Sequence, residues 1–113
     1  MTMIHGYYML PSGNMATGWA AVDGSWYFLT ESGAMITGWY NINGVWYYFN
    51  NSGVMQTGWL HEGGNWYYLD NSGAMVTDWY MVNGTWYYFY ESGPMASNMW
   101  INGYYLDETG ACV

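Results

Sequence analysis

Lysine and arginine are absent from all 113 residues. A polyphosphate backbone is bound by cationic side chains that displace its counterions, so their absence excludes nucleic acid as a partner. Cysteine occurs once, at Cys112, which excludes an internal disulfide and a cysteine-rich metal site but says nothing of the compartment. No run of 18 apolar residues is present, so membrane insertion is not expected. The start Met1–His5 lacks the basic and apolar regions of a secretory signal, and its first four residues read as a vector-derived leader. His5 and His61 have no carboxylate or thiol at ligand spacing; they read as exposed turn or terminal residues, and no metal is expected. Serine falls mainly in Ser-Gly loops without histidine partners, and Glu31 and Glu91 stand 60 residues apart in equivalent loops. No constellation for nucleophilic or paired-carboxylate catalysis exists, so the chain is expected to be no enzyme and to need no cofactor.

What is abundant is aromatic surface, at 23% of residues, together with 16 glycines. Such a chain collapses, because aromatic side chains bury large areas. The net charge of −8 comes from Asp23, Glu31, Glu62, Asp70, Asp78, Glu91, Asp107 and Glu108, spread along the sequence. A negative, aromatic-rich surface suits a cationic or sugar-like ligand. The length fits a single module over residues 1–113.

A repeat organises the chain: Trp19, Trp39, Trp59 and Trp79 recur every 20 residues. Trp26, Trp46, Trp66 and Trp86 follow seven residues behind, each opening an aromatic run such as Trp46-Tyr-Tyr-Phe. Ser-Gly pairs begin at 32, 52, 72 and 92, and methionines stand at 35, 55, 75 and 95. Between the paired tryptophans lie Asp23-Gly24, Asn43-Gly44, Gly63-Gly64 and Asn83-Gly84, with Asn102-Gly103 in the last unit. These dipeptides tolerate the positive φ that a type I′ turn needs at both positions, so each unit is expected to be an antiparallel hairpin.

With Asn43-Gly44 at the tip, Ile42 should face Val45, Asn41 Trp46, Tyr40 Tyr47, and Trp39 Tyr48. Alternation then puts Trp39, Trp46 and Tyr48 on one face and Tyr40, Ile42, Tyr47 and Phe49 on the other. Both faces are apolar, which a lone hairpin cannot sustain in water, so stacking into a solenoid is expected. The first tyrosines, Tyr27, Tyr47, Tyr67 and Tyr87, are assigned to the core with Leu29, Phe49, Leu69 and Phe89. The expected units are full repeats 18–37, 38–57, 58–77 and 78–97, flanked by partial repeats 1–17 and 98–113. The step from Met95 to Trp100 is one residue longer than that from Met75 to Trp79, which puts the last register in question.

Two indoles on one hairpin face and a tyrosine from a stacked neighbour can wall a box that attracts a quaternary ammonium through the ring quadrupoles. A good desolvated contact is worth about 2 kcal/mol, so a three-sided cage reaches roughly millimolar to micromolar affinity. Several such sites in series gain by avidity on a polymer.

The unit Thr37-Gly-Trp-x4-Gly44-x-Trp46-Tyr-Tyr-Phe-x2-Ser52-Gly-x-Met55 resembles the choline-binding repeat of Gram-positive surface proteins and cell-wall lytic enzymes, and the resemblance covers essentially the whole chain. It implies an all-β, left-handed superhelical solenoid of stacked hairpins with choline held between successive hairpins. Two tryptophans of one repeat and the second tyrosine of the next form the walls. By position, the implied sites are Trp19, Trp26 and Tyr48; Trp39, Trp46 and Tyr68; Trp59, Trp66 and Tyr88; and Trp79, Trp86 and Tyr105. Met35, Met55, Met75 and Met95 are candidate fourth walls. Phe28 stands where a tyrosine is expected, in the unit preceded by Gly6 rather than a tryptophan. The resemblance further implies a cell-surface location and anchoring, without catalysis, to the phosphocholine of teichoic acids, and it admits a homodimer.

Departures from the family pattern are the absence of lysine, Asp78 in place of the glycine before Trp79, and Cys112 in place of a methionine. Two alternatives follow. One is a carbohydrate-binding repeat of the glucan-binding kind, against which the tryptophans at 26, 46, 66 and 86 weigh. The other is an engineered or degenerate scaffold without a ligand.

Overall fold

The computed structural model describes residues 17–113 in full and the backbone of residues 2–4 and 7–9; expectations resting on His5 and Gly6 lie outside it. The described residues contain no helix. Among the described residues, twelve strands pair into six antiparallel hairpins. Strands β1 (Thr2–Ile4) and β2 (Tyr7–Met9), β3 (Gly18–Val22) and β4 (Ser25–Leu29), and β5 (Gly38–Ile42) and β6 (Val45–Phe49) form the first three. Strands β7 (Gly58–Glu62) and β8 (Asn65–Leu69), β9 (Asp78–Val82) and β10 (Thr85–Phe89), and β11 (Met99–Ile101) and β12 (Tyr104–Leu106) form the rest. They fall into two compact units, Met1–Gln56 and Thr57–Val113. Thr2–Ile4 pairs with Tyr7–Met9, as an extended segment beside another strand satisfies its backbone groups by pairing.

The turn dipeptides act as their chemistry dictates. Asn43 has φ 53 and Gly44 φ 87, Asp23 and Gly24 have φ 51 and 80, and even Gly63-Gly64 adopts 59 and 83. Positive φ at both positions is the type I′ turn, whose twist matches that of the flanking strands. The turn fixes the register: Ile42 pairs with Val45, Asn41 with Trp46, Tyr40 with Tyr47 and Trp39 with Tyr48.

Each second strand ends on the residue that anchors its unit. Leu29 and Phe49 in the first unit, and Leu69, Phe89 and Leu106 in the second, are the largest fully buried side chains. Around Leu29 pack Ala20, Val22, Tyr27 and Met35. Beyond each anchor the chain turns through the Ser-Gly loop and comes back to bridge it, Leu29 to Met35 and Phe89 to Met95. Three of the loops are braced by a carboxylate or carboxamide acceptor at their first residue. Asn50 Oδ1 accepts from the Ser52 and Val54 amides, Asp70 Oδ1 from Ser72 and Ala74, and Asp107 Oδ1 from Thr109 and Ala111.

The segment after each loop joins neighbours. Met55 N donates to Trp26 O of the preceding hairpin at 2.8 Å, and Gln56 N donates to Tyr48 O of its own at 2.8 Å. In the second unit Met95 and Ala96 do the same to Trp66 and Tyr88, and Cys112 and Val113 to Trp86 and Tyr105. Below this seam the methionine side chains fill the space under the next loop. A Cβ at Gly93 would come within 2.6 Å of Met75 Sδ, so the loop closes over the thioether only because the residue is glycine.

Two departures from the repeat are absorbed by backbone geometry. Asp78 adopts φ 68, as Gly18 does at 73, and its carboxylate accepts a hydrogen bond from Trp79 N at 2.8 Å that offsets the cost of a β-carbon there. The extra residue before Trp100 is taken up at Asn98, with φ 55, whose amide donates to Asp107 O. Trp100 pairs with Tyr105 as Trp79 pairs with Tyr88, so the register in question is kept.

Truncating an anchor should empty a closed site: Phe89→Ala is expected to cost about 3–5 kcal/mol in urea unfolding. The second expectation concerns acid. Hydrogen bonding from the Thr109 hydroxyl, then from the Thr109, Ala111 and Gly110 amides, outweighs desolvation and holds the Asp107 carboxyl below its ordinary 3.8. A lowered folded-state value means stability that is present above the unfolded value and lost as pH falls through the folded one. Carboxyl NMR should therefore show Asp107 protonating at lower pH than in Thr109→Ala, with the last loop loosening only below about pH 4.

Candidate aromatic ligand site

The faces of each hairpin are set by its register. Trp19 pairs with Phe28 and Ala21 with Trp26, so both indoles share one face two residues apart. Their centroids lie 6.2 Å apart at 84°, and Trp59 and Trp66 repeat the arrangement at 6.2 Å and 85°. Perpendicular indoles make a corner with two π-faces. The second indole of each corner is 47% exposed at Trp26, 43% at Trp66 and 45% at Trp86, so its ring remains open to solvent.

The tyrosine that packs on the first indole of the preceding hairpin is not the one that the resemblance implies as a wall. Tyr47, not Tyr48, packs on Trp19 with centroids 4.9 Å apart, Tyr87, not Tyr88, packs on Trp59 at 4.9 Å, and Tyr104, not Tyr105, packs on Trp79 at 5.8 Å. Strand alternation is the reason. The second tyrosine of each run shares a face with its own tryptophan and backs it: Tyr48 on Trp39 at 5.1 Å, Tyr68 on Trp59 at 5.2 Å, Tyr88 on Trp79 at 5.3 Å, Tyr105 on Trp100 at 5.1 Å. Only the first tyrosine is turned back toward the preceding hairpin. Phe28 likewise lies 5.2 Å from Trp19 of its own hairpin, so its missing hydroxyl says nothing of a cage before it. The first tyrosines, assigned from sequence to the core, are half-buried.

Within the first unit the structure brings together Trp19, Trp26 and Tyr47. Within the second it brings together Trp59, Trp66 and Tyr87, and Trp79, Trp86 and Tyr104. The remaining expected set, Trp39, Trp46 and Tyr68, draws on both units; inside its own unit each tyrosine keeps the backing role described above. In the last set the walls enclose a cleft of about 270 Å³ lined by Trp79, Trp86, Tyr104 and Cys112. That is just below the roughly 300–1,000 Å³ of sites for drug-sized ligands, a size for a small head group. Cys112 completes it because its amide is tied to Trp86 O at 2.9 Å. Met55 and Met95 hold the same backbone place at Trp26 and Trp66, and the side chains of Met35, Met75 and Met95 lie under the buried loop glycines Gly53, Gly93 and Gly110.

His61 is not a turn residue. It lies on β7 opposite Trp66 and stacks on that indole at 4.5 Å and 19°, a neighbour that cross-strand pairing made available. Among the described residues no three His, Cys, Asp or Glu side chains come together as a metal site.

The choline-binding repeat model matches residues 36–77 and 61–100, and a cell wall binding repeat model matches residues 17–35. The chain belongs to the choline-binding repeat family. Among solved structures, choline binding protein F from Streptococcus pneumoniae is 43% identical over 95% of this chain and 43% of its own, with TM-score 0.64. The choline binding domain of Spr1274 from Streptococcus pneumoniae is 44% identical over 69% of this chain and 95% of that one, with TM-score 0.66. The modular Cpl-1 endolysin, complexed with a peptidoglycan analogue, is 35% identical over 95% of this chain and 34% of its own, with TM-score 0.65. No curated protein sequence matches. The chain thus spans less than half the length of choline binding protein F, and it consists of choline-binding repeats in the hairpin-solenoid class.

Proposed function

We propose that these repeats bind choline in cages between consecutive hairpins and so anchor their host to the phosphocholine of cell-wall teichoic acids, at the cell surface and without catalysis. The observation that carries this reading is the last cleft, where two indoles, a phenol and a thiol surround a space for a small head group and offer no cationic side chain. A quaternary ammonium has no hydrogen-bond donor, so it gains most from π-faces on several sides. The net charge of −8 adds long-range attraction for a cation. The cages proposed are Trp19, Trp26 and Tyr47; Trp59, Trp66 and Tyr87; and Trp79, Trp86 and Tyr104, with Met55, Met95 and Cys112 as fourth walls. Weak sites repeated along one chain suit a polymer that displays choline at intervals.

Cys112 is the one thiol of the chain and stands in a proposed cage wall, so it reports on occupancy directly. Choline should slow its alkylation by iodoacetamide, with half-protection in the millimolar to micromolar range. An unchanged rate at about 100 mM choline, well above the weak end of that range, would sink the reading. In the same assay Tyr104→Ala should weaken protection roughly 30-fold, the equivalent of about 2 kcal/mol for one wall. Tyr105→Ala should shift it only a few-fold. Equal losses in the two variants would return the wall to the second tyrosine.

A further inference from the structure

A second cleft, of about 510 Å³, opens in the first unit between the base of hairpin β3–β4 and the tip of β5–β6. Phe28 and Tyr40 form its floor, with ring centroids 5.9 Å apart and planes tilted by 35°. Around them stand the Thr17 hydroxyl, the Glu31 carboxylate and the carboxamides of Asn41 and Asn43, all on exposed residues. Asn41 Oδ1 accepts from Gly44 N at 3.1 Å, which orients the carboxamide and leaves its NH₂ as a donor. Asn43 is held at φ 53 by the turn itself. These groups are therefore positioned by the hairpin and not by the ligand.

The chemistry differs from that of the cages. No indole lines this cleft, and its polar rim would give nothing to the methyl groups of a quaternary ammonium. Glu31 is the charged residue of the lining and the chain has no lysine or arginine, which disfavours an anion. A pyranose has what the cleft complements: a C–H face for the two rings and a rim of hydroxyls for a carboxylate, two carboxamides and a hydroxyl. We infer that this cleft is a subsite for a neutral sugar, separate from the choline cages. A ring pair of the same kind, Tyr68 and Tyr80 at 5.5 Å and 37°, occupies the equivalent place in the second unit. There the residue in the place of Glu31 is Asn71, so the carboxylate is missing. The first unit is therefore the better sugar site.

The test is a ¹⁵N–¹H NMR titration of the full chain with glucose, galactose and N-acetylglucosamine in turn, each to about 100 mM, well above a millimolar single-site affinity. At least one sugar should give saturable shifts at Gly18, Thr30, Glu31 and Asn41–Asn43. Glu31→Ala, on an exposed loop, should weaken that sugar about tenfold, the worth of one charge-assisted hydrogen bond. The same variant should leave choline protection of Cys112 unchanged, which separates this proposal from the cages. Absence of shifts with all three sugars, shifts confined to the tryptophans, or tetramethylammonium moving the Glu31 and Asn43 amides instead would overturn it.

Discussion

A hairpin of two five-residue strands with aromatic side chains on both faces cannot cover either face by itself. One face is met by the next hairpin, and what the contact leaves open becomes the site. On the covered side Leu29, Phe49, Leu69, Phe89 and Leu106 are fully closed off from water. On the other side the neighbour meets Trp19 and Trp59 through Tyr47 and Tyr87 but leaves Trp26 and Trp66 largely open. The stacking that stabilises the chain and the aromatic corner proposed to bind choline are thus one contact seen from two sides. Loss of binding in a variant at Trp19 or Trp59 must be separated from loss of packing before it is read as a ligand contact.

Electrostatics supports the same division. Without lysine or arginine, no side-chain ammonium or guanidinium competes for the π-faces, and no carboxylate forms an ion pair with either. The carboxylates serve the backbone instead. Asp70 and Asp107 brace their loops, and Asp78, itself left-handed, accepts from the Trp79 amide. At Asn50 an amide does the work of Asp70, so an oxygen acceptor suffices there without a charge. The negative charge is then free to act at long range, where sign matters and position does not.

Much of this was legible in the sequence because local rules act at short range. Asn43-Gly44 specifies its turn, the turn specifies that Trp39 faces Tyr48, and alternation specifies which residues share a face. The resemblance implies Tyr48 as a wall for Trp19, whereas alternation puts Tyr48 beside Trp39 and turns Tyr47 to Trp19, and the cages proposed above follow that packing. His61 was misread: a lone polar residue among aromatics looks like a turn until its cross-strand partner, Trp66, is known. The polar cleft at Phe28 and Tyr40 leaves no signature of its own, since its residues come from three separate stretches that only stacking brings together.

The shortened hairpin β11–β12 shows which part of a repeat each role needs. Counted from its base, Trp100 matches Trp79, Tyr104 matches Tyr87 and Tyr105 matches Tyr88, while the tip residues that would carry a second indole are missing. It retains the two contributions that a hairpin makes to its predecessor, Tyr104 on Trp79 and Cys112 beside Trp86. It lacks what it would need to open a corner of its own, and Trp100 is left 68% exposed. The proposed cage is therefore asymmetric: the base of a hairpin completes the site before it, and the tip starts the one after. Shortening a repeat from the tip removes one site and keeps another, which is how an array of this kind can lose length without losing the cage next to the cut.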